Sequence, residues 1–263
     1  MTTNDAGLFG KSILGTRTGG KGLTGLARMR TTLCRAIVFA AAFCSITQPV
    51  LAQVAAGTLP TGATVNAGQA TISTTGSNML INQGTARASL DWQSFSIGSG
   101  ASVVFNQPSA SAIALNRVVG NDASQIFGSL SANGQVFLIN PSGVVFAPGA
   151  QVNVGGIVAS ALNISDADFL AGRYVFNGNG AGSVVNQGSI ITSPGGYAAL
   201  FARTAANEGL IVARAGSVAI ASGERVTMDF VGDGLLNVAV DRAALGALAA
   251  NRGLIQAFSG RYA

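Results

Sequence analysis

Short apolar runs alternate with tight-turn residues along the chain, most plainly between Asn133 and Ser160, NGQVFLINPSGVVFAPGAQVNVGGIVAS. Val136–Ile139, Val144–Phe146 and Val152–Val154 are three such runs, and Ile157 opens a fourth. Asn140-Pro141-Ser142-Gly143, Pro148-Gly149 and Gly155-Gly156 separate them. No run is long enough for a helix, and the separating residues are those that break one. Val136 and Ile157 lie 21 residues apart. That length holds three short strands and three corners, one coil of a parallel β-helix. The pattern predicts a stack of such coils, with Ile157 pointing into the solenoid.

The same period recurs further on. Asn186-Gln187-Gly188-Ser189-Ile190, Asn207-Glu208-Gly209-Leu210-Ile211 and Asn251-Arg252-Gly253-Leu254-Ile255 share N-x-G-x-I. The first two asparagines are 21 residues apart and the last two 44, close to two coils. Asn and Gly then occupy a corner, the aliphatic residue enters the core, and stacked Asn side chains hydrogen-bond from coil to coil.

Before the central coil, residues 53–84 are polar and rich in Gly and Thr, with strand candidates at Ala70–Ser73 and Met79–Asn82. Ala88–Ile97 alternates apolar and polar residues, and Trp92 within it reads as a large core residue closing the first coil. Ala101–Phe105 and Ala112–Val118 are further strands, joined through Asn106-Gln107-Pro108. Two helical excursions are expected. Ser165-Asp166-Ala167-Asp168 caps a short turn that stops at Gly172, and Asp241 caps the Ala/Leu-rich Arg242–Ala250.

The first 52 residues have the pattern of a cleaved signal peptide. Arg28, Arg30 and Arg35 precede the apolar run Ala36–Ile46, and Val50-Leu51-Ala52 places small residues for cleavage between Ala52 and Gln53. The stretch before Arg28 is long for such a leader, so Met29 is an alternative start. The apolar run is about half the ~20 residues of a spanning helix, which argues against a transmembrane anchor.

Removing the leader changes the charge balance. The 263-residue chain has 15 Lys+Arg against 10 Asp+Glu. Lys11, Arg17, Lys21, Arg28, Arg30 and Arg35 all fall in the leader, with Asp5 as its only acid, so the mature part is neutral. No basic patch for nucleic acid remains. Both cysteines, Cys34 and Cys44, also lie in the leader, which suits a chain crossing an oxidising periplasm unfolded. With no His and no mature Cys, the common nucleophile, acid–base and zinc constellations are absent. Asp166 and Asp168 follow a capping pattern, and Asp229 and Asp233 in DFVGDG read as a polar turn. The residues suggest no catalytic, metal or cofactor site.

Taken together, Asp91-Trp92-Gln93-Ser94-Phe95-Ser96-Ile97-Gly98, Phe105-Asn106-Gln107-Pro108, Ala114-Leu115-Asn116-Arg117-Val118 and Gly134 to Val144 resemble the N-terminal secretion domain of filamentous-haemagglutinin-type exoproteins. The resemblance covers about residues 57–245 and keeps its order. It implies an all-β fold, a right-handed parallel β-helix with N-terminal capping strands. It also implies a Gram-negative two-partner system, in which the periplasmic domains of an outer-membrane β-barrel transporter recognise the exoprotein. The expected product is secreted or held at the cell surface, with a haemagglutinin/adhesin-like role and a host-cell receptor or glycan as further partner. The family's N-P-N-G-I motif is Asn140-Pro141-Ser142-Gly143-Val144 here, which points to Asn140, Pro141 and Gly143 for transporter recognition or for a turn needed in folding. Its N-P-N-L motif has no clear counterpart; Asn106-Gln107-Pro108-Ser109 stands nearby. The expected division is a signal peptide over 1–52, the secretion-domain β-helix over 53–245 and the start of a further, truncated repeat rung over 246–263. The competing readings are a β-helix polysaccharide-active enzyme, disfavoured by scattered acids and the absence of mature Lys, and a surface scaffold without a transporter partner.

Overall fold

The computed structural model describes residues 54–230 and 236–257. Met29, Ala52, Gln53 and Asp233, with the expectations that rest on them, lie outside the described residues.

Each coil lays down three short strands in turn. Ser129–Ala132, Gln135–Ile139 and Val144–Phe146 form one coil, and Gln151–Val154 and Gly156–Ser160 begin the next. First strands stack on first strands, second on second and third on third. The result, among the described residues, is three sheets of eight, seven and five strands. Nearly all their pairings are parallel, and Val136 lies in register with Ile157. Both side chains are fully buried in the central core, so the 21-residue spacing is the true coil length. Alternation does the rest: in Gln151–Val154 the residues alternate exposed and buried, as a strand with one wet face requires.

The N-terminal end is closed by strands running the other way. Thr64–Ala67 pairs antiparallel with Arg87–Trp92, and Ala70–Thr75 with Asn78–Gln83. Such capping occupies hydrogen-bonding edges that would otherwise recruit another chain. Trp92 is fully buried there, edge-on to Phe95 at 5.3 Å, with its indole N–H donating to Asn116 Oδ1 at 3.0 Å.

The asparagine repeat forms the expected ladder. Asn186 Nδ2 donates to Asn207 Oδ1 at 2.7 Å, and Asn207 Nδ2 to Asn251 Oδ1 at 2.8 Å. The three residues are register partners on adjacent strands. Ile190, Ile211 and Ile255 likewise stack in register.

Two excursions leave the solenoid at the same corner, after second-sheet strands. The first follows Gly156–Ser160 and contains the helix Asp166–Leu170 and the strand Tyr174–Asn177. Ser165 caps the helix as expected, accepting from the Asp168 N–H at 3.1 Å. The second excursion follows Ser217–Ser222 and is a hairpin of Arg225–Phe230 and Leu236–Arg242. Tyr174–Asn177 pairs antiparallel with Arg225–Phe230, so the excursions join into one three-stranded sheet. A second core lies beneath it, where Phe137, Ile139 and Phe201 meet Phe169, Tyr174 and Phe176. Phe137 touches Phe169, Tyr174 and Phe176 at ring-centroid distances of 6.0, 5.4 and 6.2 Å. The second sheet is therefore covered on both faces, and all six residues of Tyr197–Ala202 are buried.

The expected helix over Arg242–Ala250 does not form. Asp241 and Arg242 end a strand, and Leu248–Asn251 is another, stacked in parallel on Thr204–Asn207. Asp241 accepts from the Thr227 hydroxyl at 2.5 Å instead of capping a helix. Helix propensity separates ordinary residues by at most ~0.7 kcal/mol each. A finished strand beside the segment offers a full row of backbone hydrogen-bonding partners, and that pairing prevails.

Candidate functional site

Asn140-Pro141-Ser142-Gly143 makes the corner between the second and third strands of its coil. The Gly143 N–H donates to the Asn140 carbonyl at 2.8 Å, closing a four-residue turn. Ser142 does not have positive φ, which fits type I and excludes type II. Pro141 suits the second position of that turn because its ring presets φ. Gly143 has φ 113°, and a Cβ there would lie 2.8 Å from the Ser183 carbonyl oxygen, so no other residue fits unstrained.

The two ends of the turn are buried and its tip is exposed. Asn140 is fully buried, and its amide is occupied on both sides. Nδ2 donates to the Asp122 carbonyl at 2.9 Å and to Ser124 Oγ at 3.0 Å, while Oδ1 accepts from the Ser142 N–H at 2.9 Å. The Asn140 N–H reaches the Ser160 carbonyl of the next coil at 2.8 Å, and the Gly143 carbonyl accepts from Ser124 N–H at 2.9 Å. The side chain thus ties the corner to the coil before it, and the backbone ties it to the coils on both sides. Only Pro141 and Ser142 face solvent.

A second polar cluster pins the helix to the solenoid. Arg117 Nη2 donates to Asp166 Oδ1 at 2.9 Å and to the Ile164 carbonyl at 2.8 Å, and Nη1 to Asp91 Oδ1 at 3.2 Å. The Ser89 hydroxyl donates to the same Asp166 oxygen at 2.7 Å. Partial burial pushes the Asp166 carboxyl up, but the hydrogen bonds from Arg117 and Ser89 and the guanidinium charge outweigh it and hold the group below its usual range. Asp168 is held low by hydrogen bonds from Ser165 and then Arg173. Asp168 serves the cap, as the sequence suggested, whereas the Asp166 carboxylate is taken up by Arg117 and Ser89. The Asp166–Arg117 contact across 49 residues was not legible, although a lone Arg in the strand Ile113–Val118 was its trace.

No step of covalent chemistry follows from this geometry. Among the described residues, no group of three His, Cys, Asp or Glu is placed to hold a metal. No helix among them is long and apolar enough to cross a membrane.

The comparisons with known proteins agree with the fold. A family model described as the TPS secretion domain matches residues 56–261. The chain is 37% identical over 214 residues to a heme/hemopexin-binding protein of Haemophilus influenzae (strain ATCC 51907 / DSM 11121 / KW20 / Rd), covering 76% of this chain and 23% of that protein. A second heme/hemopexin-binding protein of Haemophilus influenzae is 45% identical over 103 residues, 39% of this chain and 11% of the relative. The chain thus spans less than a quarter of the curated relatives it matches. Among solved structures, the HMW1 secretion domain from Haemophilus influenzae superposes with a TM-score of 0.68 at 31% identity, over 74% of this chain and 53% of that one. The filamentous hemagglutinin secretion domain, 15% identical, gives 0.51 over 77% and 78% of the two chains and shares the fold. A parallel β-helix with antiparallel capping strands is the fold this chain shares with those secretion domains. The chain belongs to the TPS secretion domain family, the domain of exoproteins secreted through the outer membrane by two-partner systems.

Proposed function

We propose that this chain is the exported partner of a two-partner system, recognised while unfolded by the periplasmic domains of its own outer-membrane transporter and folded outside. The observation that carries this is the family match over residues 56–261, nearly the whole described solenoid. A neutral, cysteine-free mature chain supports it. Unfolded, it offers unpaired backbone to strand addition and has no disulfide to trap it. Within the Asn140–Gly143 turn we assign folding to Asn140 and Gly143, whose groups are buried and internally satisfied. Recognition by the transporter is left to the exposed Pro141 and Ser142 and to the unfolded segment as a whole. Cleavage between Ala52 and Gln53 belongs to the same proposal.

The test compares secretion and refolding in one set of variants. Asn140→Ala is expected to fail in both, while Pro141→Ala keeps normal refolding and loses secretion if its ring is read by the transporter. Efficient release of cleaved, soluble chain from a host with no such transporter, without lysis, overturns the proposal.

The role of the exported protein has two readings. One is the haemagglutinin/adhesin-like role, with a host-cell receptor or glycan as partner. The names of the Haemophilus relatives favour the other, capture of haem or hemopexin. Haem iron is held by His, Cys, Met or Tyr side chains. The sequence has no His, and among the described residues every Tyr and Met (Tyr174, Tyr197, Met79 and Met228) is buried and no Cys occurs. We therefore assign no haem chemistry to the described solenoid. Titration of the purified domain with haemin should leave the Soret band of free haemin unshifted.

A further inference from the structure

The wet face of the eight-stranded sheet carries a shallow groove of about 400 Å3, lined by Asn153, Ile191, Thr192, Ser193, Pro194 and Arg214. Across the Ser193-Pro194 ridge it meets a second depression of about 270 Å3 that includes Ser111 and Gln135. Arg214 stands out in this chain. Every other arginine among the described residues has an acidic side chain or, for Arg87, a carbonyl and a phenol as partner. Arg214 is exposed, and its guanidinium makes no hydrogen bond or ion pair among them.

The backbone that presents Arg214 departs from its neighbour in the same way. In one coil, Ser193-Pro194-Gly195-Gly196 turns with Gly196 N–H on the Ser193 carbonyl at 2.8 Å and Gly195 at φ 77°. One coil on, Ala213-Arg214-Ala215-Gly216 repeats the turn, with Gly216 N–H on the Ala213 carbonyl at 3.1 Å. The two are stacked, Gly195 N–H donating to the Arg214 carbonyl at 2.8 Å. Pro-Gly suits such a turn. The upper turn instead holds Arg-Ala, and Ala215 at φ 50° is the one non-glycine residue with positive φ among those described. A side chain in that region is strained, and strain of this kind gathers at functional positions. Here it sits beside the one guanidinium that has no partner among the described residues.

We propose that this groove binds a carboxylate-bearing oligosaccharide, with Arg214 taking a sugar carboxylate and the amides and hydroxyls of Asn153, Ser193 and Gln135 taking ring hydroxyls. Arg214 offers a planar fork that matches one carboxylate. Ile191, 38% exposed, and Pro194 give an apolar platform for the C–H face of a sugar ring. The groove is open along its length, which suits a chain lying across it. A single cation does not match a nucleic acid, which carries a phosphate at every nucleotide. The proposal concerns the folded domain and stands apart from how it crosses the outer membrane.

The test is calorimetric titration of the purified, exported chain with a hyaluronan octasaccharide. The same chain is titrated with an uncharged N-acetylglucosamine oligomer and with a glutamate oligomer of matching charge. The expected result is binding of the octasaccharide, at least tenfold weaker binding of both other probes, and a loss of at least tenfold on Arg214→Gln. Arg252→Gln, at an exposed arginine paired with Glu208, should bind as the parent does. Circular dichroism of Arg214→Gln should match the parent, since the position is exposed. Absence of binding at millimolar octasaccharide, an Arg214→Gln affinity within twofold of the parent, or equal binding of the glutamate oligomer overturns the proposal.

Discussion

Asn140 illustrates how one side chain holds a corner of a solenoid. Its amide satisfies groups on both sides of the turn and has no exposure to water. Replacing it with Ala takes the partner from the buried Ser124 hydroxyl, and a buried unsatisfied group costs ~1–3 kcal/mol. Asn140→Ala should therefore destabilise the domain by about 2 kcal/mol, read as a fall in the midpoint of urea unfolding. Ser142→Asn, which restores the family's residue at an exposed tip, should stay within about 0.5 kcal/mol of the parent. Ile157→Asp is the severe case. It places a charge in the centre of the main core, where the cost is several kcal/mol and comparable to a domain's whole stability. A folded Ile157→Asp variant with parent-like melting would mean that the side chain faces outward.

At the scale of elements, whatever repeated at the coil period was legible in the sequence. Val136 and Ile157 pair as their spacing requires, and Asn186, Asn207 and Asn251 stack as their shared motif requires. Elements that leave the period were harder to read. The helix at Asp166 announced itself through its own cap, because capping is local. The hairpin of Arg225–Phe230 and Leu236–Arg242 gives no such sign, and the Ala/Leu composition of Arg242–Ala250 points to helix. Asn251 already held the contrary signal: if it stacks on Asn207, the residues just before it must stack on Thr204–Ala206. The first excursion is fastened electrostatically. The Asp166 carboxylate has a lowered pKa in the fold, so it contributes stability above its unfolded value near ~4 that is lost as pH falls through the folded value. The drop in melting temperature between about pH 5 and pH 2 should be smaller in Asp166→Asn than in the parent.

At the scale of the molecule, most contacts among the described residues join residues far apart in sequence, so folding must close loops before strands pair. Such topologies fold in milliseconds to seconds, and each finished coil templates the next. Circular dichroism of residues 53–263 should be strand-dominated, and mass spectrometry of exported protein should find Gln53 at the N-terminus. The joined excursions have a mechanical consequence. A plain β-solenoid pulled at its ends peels one coil at a time. Here Tyr174–Asn177 and Arg225–Phe230 emerge from coils that are not adjacent, yet they pair with each other over the strand Tyr197–Ala202 between them. The coil in the middle cannot peel until that buckle opens. In an optical trap the small regular steps should be interrupted by one larger event. It should release up to roughly 300 Å of chain, the extended length from Gly156 to Arg242 at ~3.5 Å per residue. Deleting the hairpin should divide that event into coil-sized steps at lower force.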